Sequence, residues 1–146
     1  MKAHPKTNKK EISKMLKVLP IQTKSEQEEI CKLCGVEFKP DLLAYSATVD
    51  GELRGVSQFK LTAEGGLVFD VAPAIGTYDF EALFVLGRGT LNFIDLCGVH
   101  YAIYKGAVEN EQEERLIKAI GFKKTDLGTF EIDLTGFFTD HCHDKK

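Results

Sequence analysis

The chain has 146 residues, enough for one domain with a buried core and too few for two. Apolar residues make up 43% and charged residues 28%, the balance of a soluble globular protein, which excludes disordered and fibrous classes. A net charge of -3 offers no basic surface for nucleic acid or an anionic membrane, and no run reaches the roughly 20 apolar residues of a membrane span.

Residues 1–14 carry Lys2, Lys6, Lys9, Lys10 and Lys14 against a single Glu11, with Pro5 and no periodicity. This reads as a flexible basic leader ahead of one domain spanning 15–146. No apolar signal core follows it, so the expected compartment is cytoplasmic. Residues 15–21 alternate and end at Pro20, which suits an edge strand. Thr23 and Glu26 form a capping box for a helix whose inner face is Ile30, Leu33 and Cys34, and Gly35 stops it.

Residues 42–49 and 55–62 flank Asp50-Gly51, a pair that tolerates the positive φ angles of a tight hairpin turn. Glu64-Gly65-Gly66 is a second turn, and residues 67–72 form a third strand closed by Pro73. Asp70 is the one charged residue in that strand. Asp79 is a helix N-cap, and apolar positions from Phe80 to Leu96 describe a helix buried on more than one side. Gly87 and Gly89 each cost roughly 1 kcal/mol inside a helix, which predicts close packing against the sheet. Cys97 reads as core and Gly98 as the C-cap glycine.

The stretch from Gly98 to Phe122 reads as strand, corner, capped helix and stop. Asn110 offers its side chain to free helix amides and Glu113 reaches back, while Leu116, Ile117 and Ile120 form an apolar stripe ended by Gly121. Residues 122–124 and 129–134 form a last hairpin around Asp126-Leu127-Gly128.

This element order, over about residues 15–134, resembles the GNAT superfamily of acyl-CoA-dependent N-acetyltransferases. Asn110, Leu116, Ile120, Gly121 and Phe122 fall on the offsets of the family's Asn…Leu…Gly-Phe helix pattern. The resemblance implies an α/β (α+β) fold. Its centre would be a mixed, mostly antiparallel sheet of six to seven strands flanked by three to four helices. It also implies transfer of an acetyl group from acetyl-CoA to an amine by direct attack. The acceptor would be a small molecule or a peptide, and the protein a monomer or homodimer.

In such a protein the pantetheine arm lies like an added strand between residues 68–72 and 101–104. Val71 and Ala72 would hold it through their backbone, with Asn110 at its edge. The pyrophosphate loop maps to residues 76–83, where Gly76 is the only glycine and Asp79 and Glu81 carry negative charge. A second register makes Gly87-Arg88-Gly89 the loop and Arg88 the phosphate cation. Asp70 would be the base, with Tyr78, Tyr101 and Tyr104 as polar neighbours. Ile117 stands where the family often has its proton-donating tyrosine.

Each of these residues also has a local reading: Asn110 as a helix cap, Arg88 as a solvent-facing cation, Asp70 as an exposed strand residue. Acidic Asp79 and Glu81, with Ile117 in place of tyrosine, motivate the alternative function, a catalytically inactive module that binds a ligand or partner.

Cys31 and Cys34 form a CxxC pair at the C-terminal end of a helix, where the dipole raises thiol pKa and disfavours redox chemistry. With Cys142 and either His141 or His143 they could complete a structural Zn²⁺ site. The competing reading makes Cys31 and Cys34 small buried residues on the inner face of the helix.

Overall fold

The computed structural model describes residues 14–138. Seven strands, β1 (Leu16–Pro20), β2 (Leu43–Val49), β3 (Glu52–Thr62), β4 (Gly65–Pro73), β5 (Tyr101–Tyr104), β6 (Lys123–Lys124) and β7 (Phe130–Asp133), form one sheet in the order β1-β2-β3-β4-β5-β7-β6. Every pairing is antiparallel except β4 with β5. Three helices complete the fold: α1 (Lys24–Leu33), α2 (Phe80–Leu96) and α3 (Glu111–Ile120). The parallel pair requires a crossover, and α2 supplies it.

Local signals explain the meander. Asp50 and Gly51 hold φ angles of 53 and 83°, the conformation that turns β2 into β3. Pro20 ends β1 at the sheet edge, where a missing amide removes no ladder bond from a central strand.

Alternation along β3 then assigns its neighbours to opposite faces. Phe59 joins the large core formed with Leu83, Leu86, Leu91 and Ile94 of α2 and Leu116, Ile117 and Ile120 of α3. Val56 faces the other way, packing with Cys31 and Cys34 at the end of α1 and with Ala74. Between them, Ser57 Oγ donates to the Thr90 hydroxyl of α2 at 2.9 Å, because the single Thr90 proton goes to Leu86 O at 3.0 Å, and the pair is a buried tie between helix and sheet.

Several expectations change here. Leu33 is half exposed, and α1 instead buries Gln27 and Cys31, because the residues one and two turns before Cys34 face the sheet. Cys97 is exposed rather than core, since the chain has already left α2 at that point. Gly87 does allow a close approach, but to α3 and not to the sheet: a Cβ there would collide with the Ile120 side chain. Gly89 does face the sheet, 3.3 Å from Val18 once a Cβ is added.

Candidate functional site

The site begins with an irregularity in β4. Its register against β3 runs Val56 with Ala72, Ser57 with Val71 and Gln58 with Asp70, then shifts so that Phe59 meets Val68. Phe69 is the extra residue of a β-bulge, a device that bends a strand and re-aims its side chains. The bulge brings Phe69 and Asp70 to the same side. Lys39, in the loop after α1, places Nζ 6.0 Å from the Phe69 ring centroid and 3.7 Å from Asp70 Oδ2.

The same bend separates β4 from β5. The two strands pair only from Gly66 with Ala102 to Val68 with Tyr104, and the Lys105 amide donates to Val68 O at 2.7 Å. Beyond that point residues 69–73 have no strand partner on this side. The gap therefore opens between residues 69–73 and 105–108, later in both strands than the sequence implies, because Ala102 to Tyr104 are themselves paired with residues 66–68. Gly106 permits the last close approach: a Cβ there would lie 2.8 Å from Phe69 O and 2.5 Å from the Tyr104 hydroxyl.

A cleft of about 400 Å³ occupies this opening. It is bounded by Asp70, Val71, Ala72 and Tyr78 on one side and by Tyr104, Gln112, Glu113 and Ile117 on the other. Burial pushes the Tyr104 hydroxyl up to about 12, with the nearby Asp70 charge adding to the effect and the facing Val71 amide opposing it. The Tyr104 phenol is thus held neutral well above neutral pH. The Val71 amide faces away from β3, into the gap and toward that hydroxyl, on the side a strand partner would otherwise take. Burial also raises Tyr78, against the lowering effect of Arg115.

Asp70 is neither exposed nor bare. Its side chain is 13% accessible, and Oδ2 accepts from Gln58 Nε2 at 2.7 Å. Gln58, Gln27 and Lys39 escaped the sequence reading. The available signal was Gln58 at the same strand parity as inward-facing Val56, and Gln27 on the inner stripe of α1.

The remaining predicted residues separate. Asn110 caps α3, its Oδ1 accepting from the Glu113 amide at 2.9 Å, while Glu113 Oε1 reaches back to the amide of Glu109 and not that of Asn110. Gly76 turns the loop before α2 with φ 87°.

Arg88 lies mid-helix and its guanidinium is engaged by protein groups. Gly87-Arg88-Gly89 lies within α2, which removes the second register for the loop. The Arg88 guanidinium donates to the carbonyls of Ile120 at 2.6 Å and Ala119 at 3.4 Å, and stacks over Phe84 and Phe137. It caps the negative end of α3. It is not a solvent-facing cation either.

Asp79 serves as the N-cap of α2, with Oδ1 accepting from the Ala82 amide at 3.1 Å and Oδ2 paired with Arg54 at 3.2 Å. Its carboxylate takes the position in which a helix start would otherwise attract an anion.

Cys31 and Cys34 lie in the apolar cluster beneath α1, and burial raises their thiols to about 11 and about 12. Among the described residues no group of three or more potential metal ligands comes together. His141, Cys142 and His143 lie outside the described residues.

No family model and no curated protein matches the chain. Solved structures do. It is similar to an N-acetyltransferase from Staphylococcus aureus Mu50, with a TM-score of 0.61 at 11% identity over 83% of this chain and 99% of that one. A mutant of the spermidine N-acetyltransferase SpeG from Vibrio cholerae gives a TM-score of 0.66 at 12% identity, covering 86% and 98%. YhhK from E. coli, solved bound to coenzyme A, gives 0.58 at 15%, covering 84% and 99%. The chain has the GNAT fold, with a mixed sheet of seven strands and three helices among the described residues.

Proposed function

We propose that this GNAT-fold chain is an N-acyltransferase that moves an acetyl group from acetyl-CoA to a primary amine. The observation that carries the reading is the bulge-opened gap between β4 and β5, where the Val71 amide faces a cleft bounded by Asp70 and Tyr104. An extended, amide-bearing pantetheine arm fits such a gap because it can match the unpaired strand edge. Bound there, acetyl-CoA supplies an acyl group activated as a thioester.

The chain's own residues supply the rest. The Val71 amide can hold a carbonyl oxygen as negative charge develops on it, provided the Tyr104 hydroxyl yields its position. Asp70 can take a proton from an ammonium and leave the amine nucleophilic. The Tyr104 hydroxyl, which burial keeps neutral, can donate a hydrogen bond to a leaving thiolate from the facing wall, a place that Ile117 in α3 cannot fill, and the thiolate takes its proton from water. Similarity to a spermidine N-acetyltransferase and to a protein solved with coenzyme A supports this reading.

Calorimetric titration with acetyl-CoA, followed by thiol-release assays over a panel of amines, tests it. Saturable binding with turnover on at least one amine is the expected result. Absence of binding up to about 1 mM, a free energy weaker than about 4 kcal/mol, would overturn it.

One observation favours a second reading, a ligand-binding module without catalysis. The residues that fit the pantetheine arm are not matched by a diphosphate cradle, because Asp79 fills the start of α2 with its own carboxylate. Binding of acetyl-CoA or a pantetheine fragment without turnover across the panel would select it.

A further inference from the structure

A four-residue polar network stands behind the cleft, and its hydrogen bonds leave one arrangement open. Gln58 on β3 is fully buried. Its Oε1 lies 3.1 Å from the Lys39 backbone nitrogen and 2.9 Å from Gln27 Nε2. A backbone N–H can only donate, so this side of the amide must be the oxygen. The nitrogen is then committed to its two acceptors, Glu37 O at 2.9 Å and Asp70 Oδ2 at 2.7 Å. All four hydrogen-bonding positions of the Gln58 amide are used. Gln27 is held in turn, accepting from Lys24 Nζ at 3.0 Å while Lys24 also donates to Leu42 O at 2.6 Å.

Asp70 Oδ2 is therefore pinned, and the Lys39 ammonium at 3.7 Å adds to the hold. Among the described residues Oδ1 accepts no hydrogen bond, and Asp70 lines the cleft. Gln58 also sits opposite Asp70 at the last regular pair before the bulge, so the network anchors the strand where the gap begins. Buried networks of this kind hold orientation only when every member is satisfied, and no buried side-chain N or O atom among the described residues lacks a partner.

We propose that Gln58 is a positioning residue. It locks one oxygen of Asp70 so that the other is presented to the ammonium group of a primary-amine ligand in the cleft. The inference rests on the acyltransfer reading for its purpose, but it can be tested without acyl transfer. Spermidine is the probe, titrated into ¹⁵N-labelled full-length protein at fixed salt, with the amide signals of Asp70 and Val71 followed.

In the wild type these signals move saturably. Gln58→Met keeps the volume and removes the donor, and it weakens spermidine binding by about tenfold, equivalent to about 1.4 kcal/mol. Asp70→Asn removes the carboxylate and weakens spermidine binding to a lower affinity that the titration still reads. In the Asp70→Asn background, Gln58→Met then changes nothing further, because its effect acts only through that carboxylate.

A Gln58→Met affinity within about twofold of wild type would overturn the proposal. So would a loss of equal size that persists with Asp70→Asn, the mark of a merely structural role. If Gln58→Met does not fold, Gln58→Glu replaces it. That variant keeps the size, places a carboxylate against Asp70, and is expected to lose spermidine binding in a manner reversed as pH falls and the pair takes up a proton. No such pH dependence would overturn the proposal. Acetyl-CoA binding together with no movement of Asp70 and Val71 on adding spermidine would sink this inference and leave acyl transfer standing. An amine site in a protein that binds no acetyl-CoA would do the reverse.

Discussion

Arg88, in the middle of α2, donates from Nε to the carbonyl oxygen of Ile120, the last residue of α3, at 2.6 Å. The contact joins the two helices that cover one face of the sheet and neutralises the free carbonyls where α3 ends. Its guanidinium is sandwiched between Phe84 and Phe137 at 4.7 and 5.0 Å from the ring centroids, so the charge is held by faces as well as by acceptors.

Arg88→Met should therefore act on stability and not on ligand binding. The expected loss is about 1.5–3 kcal/mol, the range for hydrogen bonds to a charged group. Urea denaturation measures it, and acetyl-CoA affinity measured beside it should stay unchanged. A variant of wild-type stability with weakened acetyl-CoA binding would restore Arg88 as a phosphate ligand.

Gly87→Ala tests the same helix pair from the other side. The new methyl group meets Ile120, which is fully buried and has no room to retreat. Overpacking of this kind costs about 1–3 kcal/mol, outweighing the roughly 1 kcal/mol that alanine gains over glycine in a helix. A thermal midpoint equal to or above wild type would show that α2 and α3 can separate.

Asp79→Ser separates capping from charge at the start of α2. Serine keeps an oxygen for the Ala82 amide but removes the carboxylate and its pairing with Arg54. Stability should change by less than about 1 kcal/mol. Under the acyltransfer reading, acetyl-CoA affinity should rise several-fold, since an anion near a helix start gains about 0.3–1 kcal/mol and Arg54 is freed. Unchanged affinity in calorimetry would mean that the diphosphate does not approach this helix.

The pH dependence of stability follows from two buried thiols and one partly buried phenol. Cys31, Cys34 and Tyr104 are raised by burial to about 11, about 12 and about 12, above ordinary values of 9.0 for the thiols and 10.0 for the phenol. Each is neutral in the folded state, so its contribution is fully present below the unfolded value. It is lost as pH rises from there through the folded value. Stability should decline above pH 9, and Cys34→Ala should flatten the decline. Iodoacetamide at pH 8 should label exposed Cys97 well before Cys31 or Cys34. Rapid native labelling of Cys34 would show that the cluster beneath α1 opens readily.

Much of this protein was legible in its chain. Asp50-Gly51, Thr23, Asp79, Asn110 and Gly121 act through their immediate neighbours, so turns, caps and helix ends could be read without a partner in view. Element order then carried the resemblance to the GNAT fold. Side-chain partners across the sheet were another matter. Arg88 reads as a surface cation until α3 folds back and offers Ile120 O, 32 positions away. Gln58 reads as one more strand residue until Gln27, Lys39 and Asp70, 31, 19 and 12 positions away, close around it. The bulge at Phe69 depends on pairing register, which no single strand encodes. Sequence by itself determined the local geometry, because those interactions span a few residues. Tertiary structure alone decided which polar groups met, because a buried donor takes whatever acceptor the packed fold brings within reach.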